Sequence, residues 1–238
     1  MRFFCSALGP LILVLAAGCP APSAAPNDDD SAGPGEQSLL FALPLAEPWL
    51  IESVVGYDHD PEVHGTDPLS AAYCTNYAGQ SFPACYDEHD GSDFILEGAF
   101  TTMDAGSSPV VAAADGEVVS TENEQYDRCH ATLSGVSCDG NPIVANHVIV
   151  EHADATRTKY WHLKTGSVLV EVGEQVVCGQ PLGLIGSSGN SSTPHLHFEV
   201  ELSSGEVVDP YAGPESQPES RWRMQDGPFE LPGQGCAP

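Results

Sequence analysis

The run His195-Leu196-His197-Phe198-Glu199-Val200-Glu201-Leu202, entered through Pro194, constrains the fold more than any other part of this chain, because polar and apolar residues alternate along it without a break. On an extended backbone successive side chains point to opposite faces, so His195, His197, Glu199 and Glu201 share one face while Leu196, Phe198, Val200 and Leu202 share the other. A period of two over eight residues predicts a β-strand with one packed face. Two imidazoles one residue apart on the other face match a metal-site spacing, although the same pattern occurs on the wet side of an ordinary strand.

A second cluster shifts the balance. His89-Asp90-Gly91-Ser92-Asp93-Phe94 offers an imidazole and a carboxylate four positions apart, which share a face in a strand or a helical turn. Together the two runs supply His, Asp and His. A catalytic zinc site uses three nitrogen or oxygen ligands and keeps a fourth position for water, whereas a closed structural site has four ligands and is usually rich in cysteine. Two more histidines then need roles: the second imidazole of the His195/His197 pair and His162, in Tyr160-Trp161-His162-Leu163. Spacing alone treats His195 and His197 alike, so either can be the ligand.

The segments His89-x-x-x-Asp93, Tyr160-Trp161-His162-Leu163 and Pro194-His195-Leu196-His197-Phe198-Glu199-Val200 resemble, in order and spacing, the three signature motifs of the lysostaphin-like (LytM-type) zinc endopeptidases, which cut peptide cross-links in bacterial peptidoglycan. Ser108 to Val119 and Val170 to Gln180 are similar to that family's connecting strands and turns. The resemblance runs from about His89 to Tyr211. It implies that His89, Asp93 and His197 bind Zn2+ while His162 and His195 stay unliganded as the catalytic pair. It also implies peptidoglycan peptides as substrate. Zinc polarises a carbonyl and lowers the pKa of water from about 15.7 toward about 7. A neutral imidazole can take that water's proton, and a charged one can donate to the leaving amine or steady an oxyanion. His195 is expected to be the principal base and His162 the oxyanion partner.

His59, His64, His130, His147 and His152 fall outside the motifs and read as surface or hydrogen-bonded residues. His64-Gly65-Thr66-Asp67 is the best decoy, but its carboxylate is three positions on, and no Asp-Phe follows. His59 or His64 would mask the metal if residues 38–72 acted as a pro-segment.

The apolar run Leu8 to Ala17 follows Met1-Arg2 and is shorter than the ~20 residues of a transmembrane helix. Residues 1–19 therefore read as a signal peptide. Leu15-Ala16-Ala17-Gly18-Cys19 resembles a lipobox, which implies a bacterial envelope lipoprotein anchored to the membrane through Cys19; the alternative is a soluble exported protein. Residues 20–37 are rich in Pro, Ala, Ser, Gly and Asp and read as a disordered tether. Of the eight cysteines, Cys5 and Cys19 lie in the leader, and the even remainder in an exported chain suggests disulfides. Short intervals favour Cys74–Cys85 and Cys129–Cys138, which leaves Cys178 for Cys236.

The apolar pattern is β throughout, in short runs at 110–119, 142–151, 158–163, 167–170, 181–185 and 195–202, with no long helical period. A mainly β, antiparallel, sandwich-like fold is expected, sharpened by the resemblance to the LytM fold with an open substrate groove. Residues 38–88 would carry N-terminal strands and a disulfide-bearing insertion, residues 89–211 the peptidase core, and residues 212–238 a Pro/Gly-rich tail pinned by a disulfide. The stretches 73–86 and 122–141 are expected to wall the groove. A monomer is expected.

With Lys+Arg 7 against Asp+Glu 34 the net charge is -27, which excludes nucleic acid or an anionic membrane surface as a partner. Two readings compete with an endopeptidase. A catalytically silent module of the same fold would bind peptidoglycan or regulate hydrolases, but such proteins lack ligands, and all five site residues stand here. The stretch Val172 to Gly189 also resembles the hairpin of biotinyl and lipoyl carriers, but Lys159 and Lys164, the chain's lysines, lie outside it.

Overall fold

The computed structural model describes residues 38–60, 62, 73–227, 230–233 and 235–236. The leader, the lipobox cysteine Cys19, the tether and His64 lie outside the described residues. Ser38–Pro238 form one compact unit.

The strands are β1 (Ile51–Val55), β2 (Ser92–Leu96), β3 (Pro109–Val111), β4 (Gly116–Glu122), β5 (His130–Thr132), β6 (Gly135–Ser137), β7 (Asn146–Glu151), β8 (Arg157–Leu163), β9 (Gln175–Val176), β10 (Pro181–Leu184), β11 (His195–Glu201) and β12 (Val207–Val208). One seven-residue helix, α1 (Ala99–Ala105), follows β2. The main sheet runs β1-β2-β11-β8-β7-β4-β9, with β12 paired to the end of β11; β3 pairs β10, and β5 pairs β6 as a separate hairpin. Every strand pair is antiparallel. The fold is therefore the mainly β, antiparallel one expected from the apolar pattern. Among the described residues no helix is long and apolar enough to cross a membrane.

Several boundaries differ from the sequence reading. The run 110–119 is two strands, because residues 112–115 leave the extended conformation and β4 starts only at Gly116. Residues 167–170 form no strand: Val168 N–H donates to the Asn123 side chain and Leu169 N–H to Leu182 O, so this backbone is satisfied by scattered partners rather than a ladder. The strand expected from 142 begins at Asn146.

The core lies under the apolar face of β11. Leu196, Phe198 and Val200 are fully buried, and Phe198 meets Tyr160 edge-on at 5.4 Å and stacks on Trp222 at 5.4 Å. Burying side chains of this size contributes about 1.5–3 kcal/mol each. Trp222 lies beyond the composition-based limit of the core at Tyr211. Its segment is tied to the N-terminal one, since Phe41 N–H donates to Arg221 O and Arg223 N–H to Phe41 O. The carboxy-terminal segment thus plugs the core as well as being stapled. The three disulfides join Cys74 to Cys85, Cys129 to Cys138 and Cys178 to Cys236, the pairing expected from the spacing.

Candidate metal centre

Antiparallel register assembles the site. His197 on β11 lies directly opposite Asp93 on β2 and Trp161 on β8, and Trp161 lies opposite His147 on β7. Residues opposite one another in a sheet share a face, so one lateral row carries Asp93, His197, Trp161 and His147. His195 stands two residues from His197 on the same face. His89 arrives from the loop before β2, where Asp58 brackets the backbone. One Asp58 oxygen accepts from Asp60 N–H and Thr75 N–H, the other accepts from Glu88 N–H, and Asp58 N–H donates to His89 O. The Asp58-His59-Asp60 stretch is therefore a structural bracket. His59 is engaged elsewhere, 2.7 Å from the buried Asp209 carboxylate, and does not cover the centre.

Three donor atoms converge. His89 Nε2 lies 3.1 Å from His197 Nδ1 and 3.1 Å from Asp93 Oδ1, and His197 Nδ1 lies 2.8 Å from the same oxygen. His89 donates Nδ1–H to Gly56 O at 2.6 Å, which leaves its Nε2 unprotonated and aimed at the cluster. The second Asp93 oxygen accepts from Tyr86 O–H at 3.2 Å, and the Tyr86 ring stacks on His89 at 4.3 Å. Around a tetrahedral zinc with bonds of about 2.0–2.1 Å, neighbouring ligand atoms stand about 3.3 Å apart. The donor set and its spacing fit such an ion.

The strand does not present a wet face. His195, His197 and Glu199 are nearly as buried as the hydrophobic residues between them, at 5%, 7% and 7% exposure, while Glu201 at the end of the strand is partly exposed. The segment 86–90 and Asn190 border an open cavity of about 370 Å³ that His197 and Glu199 line together with Trp161 and His162. The insertion expected to wall the groove reaches it at its end, through Tyr86. The hairpin β5–β6 does not line the cavity; it braces the opposite wall, with Cys129 N–H donating to Ser187 O and Ala131 N–H to Ser192 O. A larger depression of about 730 Å³ beside Leu45, Trp49 and the Cys178–Cys236 disulfide is lined by no imidazole or carboxylate.

Strand alternation would send Trp161 and His162 to opposite faces, yet both line the cavity. The reason is a bulge. Asn146 pairs with Leu163 and His147 with Trp161, so His162 is an extra residue in β8, and its φ of 63° lies in the left-handed region that side chains disfavour. The bulge re-aims the imidazole, which donates Nδ1–H to Ser188 O at 2.6 Å and sits 4.6 Å, centroid to centroid, from His195. His195 in turn donates Nδ1–H to Thr193 O at 2.7 Å. Both rings are thereby left with Nε2 as the nitrogen turned away from the backbone, and that of His195 lies 3.4 Å from Asp93 Oδ1.

Gly91 is a site residue that spacing arguments missed. A Cβ there would lie 2.7 Å from both Cε1 and Nε2 of His197 and 2.8 Å from Phe198 O, so only glycine lets that ring reach the cluster. An unexplained glycine between the first His and the Asp was the available signal.

Electrostatics divides the histidines. Burial, and after it the neighbouring His195 and His197, pushes His162 down to about 3. Burial also acts against a charge on His197, but hydrogen bonds to Asp90, Asp93 and Glu199 outweigh it and push that ring well above its ordinary value. Burial would raise the Asp93 carboxyl, yet His195 and His89 hold it well below the usual carboxylate range. Carboxylates thus surround an imidazole that attracts a proton, and a cation satisfies the same demand.

The sequence profile described as Peptidase family M23 matches residues 89–210, half of the chain, with the three converging donors and with His162 and His195 inside the match. The chain belongs to peptidase family M23. Among curated M23-like relatives, the peptidoglycan DD-endopeptidase ShyA of Vibrio cholerae is 33% identical over 112 residues, 47% of this chain and 20% of that protein. The murein hydrolase activator EnvC of Escherichia coli is 43% identical over 63 residues, 26% of this chain and 14% of that protein. The chain thus spans about a fifth or less of the length of these relatives. Among solved structures, the catalytic domain of lysostaphin from Staphylococcus simulans is similar with 28% identity and a TM-score of 0.36, covering 52% of this chain and 77% of that one.

Proposed function

We propose that this M23 chain is an exported zinc-dependent endopeptidase that hydrolyses peptide bonds in peptidoglycan stem or cross-bridge peptides. The observation that carries the reading is the convergence of His89 Nε2, Asp93 Oδ1 and His197 Nδ1 beside two imidazoles that are not part of the cluster. The similarity to ShyA, a peptidoglycan DD-endopeptidase, supports peptidoglycan as the target. His89, Asp93 and His197 would hold the zinc. When bound, it supplies Lewis acidity, polarising a carbonyl and making water acidic enough to yield hydroxide near neutral pH.

The chain's own residues do the rest. His195, with Nδ1–H committed to Thr193 O, offers Nε2 as the acceptor for the water's proton. His162 is a weak base because burial depresses it to about 3, so it stays neutral at working pH. Its committed Nδ1–H leaves Nε2 to accept a hydrogen bond and orient the water, a role that fits its neutral state better than the charged oxyanion partner expected from sequence. His195, once charged, donates to the leaving amine. Trp161 and Tyr86 line the cavity and position the peptide. Residues 1–19, with Cys19 as the lipidated residue, would deliver the enzyme to the envelope, and residues 20–37 would tether it.

The EnvC similarity favours one other reading, a hydrolase-regulating module without catalysis. The complete set His89, Asp93, His162, His195 and His197 speaks against it. Incubating the oxidised, zinc-loaded chain with purified sacculi and reading released muropeptides by mass spectrometry decides between them. Products that vanish with chelator and in His195→Ala establish the peptidase and name the bond; no products from folded, zinc-loaded protein on several wall types favour the regulator.

A further inference from the structure

We propose that Glu199, held in place by Lys159, is a positioning residue that fixes which nitrogen of His197 faces the metal. This assignment rests on the zinc reading above. An imidazole can ligate only through a nitrogen free of its proton, and the proton on the other nitrogen needs an acceptor to define the tautomer. His197 has Nδ1 in the donor cluster, 2.8 Å from Asp93 Oδ1, and Nε2 on the far side of the ring, 3.2 Å from Glu199 Oε1. A carboxylate oxygen facing Nε2 accepts the proton carried there, which leaves the Nδ1 lone pair to the cluster.

Two further contacts make this a built arrangement. Glu199 Oε2 lies 2.9 Å from Lys159 Nζ, and Lys159 is its cross-strand partner on β8. The ammonium also reaches Glu201 Oε2 at 2.8 Å, which anchors it between two carboxylates. A buried carboxylate is tolerated when a fixed opposite charge and hydrogen bonds compensate it, and here Lys159 supplies the charge and His197 the hydrogen bond. The Cε1–Nε2 edge of His197 also rests against Gly91, so the ring is held in its plane while Glu199 sets its protons. Asp90 approaches the same Nε2 at 3.5 Å, but its side chain is 62% exposed, so water can replace it.

Asp90, His197 and Glu199 also lie close enough to be ligands themselves, with His197 shared between two ions. The relay to Lys159 favours the positioning role, because an ammonium at 2.9 Å repels a cation on the same carboxylate.

The test measures zinc affinity and stoichiometry of the full chain by competition with a chromophoric chelator, with the visible absorption of the cobalt-substituted protein as a second readout. Glu199→Ala is expected to weaken zinc binding about 10–100-fold and to alter the cobalt spectrum, as loss of an outer partner of a ligating histidine does. Glu199→Gln, whose amide oxygen still accepts, restores most of the affinity and serves if the alanine variant fails to fold. Lys159→Met weakens binding less than Glu199→Ala, and Glu171→Gln, which removes an exposed charge outside the relay, leaves it unchanged. Glu199→Ala binding zinc as tightly as wild type, with folding intact, would overturn the assignment and spare the zinc reading. So would two zinc ions per wild-type chain falling to one in Glu199→Ala, which would make Glu199 a ligand. A folded wild-type chain that takes up no zinc would overturn both.

Discussion

Both faces of β11 are buried up to Val200, and they are held by opposite physics. Leu196, Phe198 and Val200 are buried because removing them from water is itself favourable, and they need only shape-matched neighbours such as Tyr160 and Trp222. His195, His197 and Glu199 are buried at a cost, which is met because each has a specific partner in Thr193, Asp93 or Lys159. A packing defect on the first face should therefore lower stability, and a lost partner on the second should lower metal binding and catalysis.

Partner chemistry also separates two buried imidazoles. His152 is 4% exposed and His197 7%. The partners of His152 are neutral: Asp115 O at 2.8 Å from Nδ1 and the Thr158 hydroxyl at 2.9 Å from Nε2. Burial consequently wins and lowers it, whereas the carboxylates around His197 win and raise it. Depth alone does not set a histidine's charge.

The largest expected effect that would break the comparison lies on the polar face. His195→Ala should lower peptide cleavage by about 10²–10⁴-fold while zinc content and thermal midpoint stay near wild type, the usual range for a general acid–base residue. Purified sacculi assayed beside a zinc determination check this, and a parallel loss of fold would remove the distinction between the faces. On the apolar face, Phe198→Ala should cost about 3–5 kcal/mol of stability, read as a lower urea midpoint at unchanged slope.

Gly91→Ala tests the point where the faces meet, since its Cβ would strike both the His197 ring and the Phe198 carbonyl. Zinc affinity should fall about tenfold or more, in the range seen when a ligand's orientation is disturbed, with a smaller loss of stability. The smallest effect is the pH dependence of His152. Its folded pKa is below the unfolded value near 6.5, so the unfolded chain binds a proton that the folded chain refuses. Its contribution is full above about pH 6.5 and is lost as pH falls from there toward the folded pKa, by at most about 1.4 kcal/mol per pH unit. Urea titrations of wild type and His152→Gln at neutral and mildly acid pH should show the wild-type chain losing more stability on acidification.

Much of the site was legible because its signals are local. Alternation on β11, the His89-to-Asp93 spacing and the short cysteine intervals each depend on a few neighbouring residues, and the observed register and disulfides agree with them. Long-range geometry was not legible. Composition ended the core before Trp222, because a tryptophan in a Pro/Gly-rich segment reveals its burial only once that segment pairs with Phe41. The break between β3 and β4 was missed because Ala112-Ala113-Ala114 carries no turn signal, and the bulge at His162 was hidden because it exists only as a mismatch between β7 and β8.

By itself the amino-acid sequence determined the β character, the residue types at the centre and their family, since periodicity and motif spacing are properties of the chain taken a few residues at a time. Tertiary structure alone decided that His195, His197 and Glu199 on the polar face of β11 are buried, that His162 turns into the cavity, and that Glu199 and Lys159 back the His197 ring. Those outcomes depend on which strand lies beside which, and in what register, a choice made only when distant segments meet around one core.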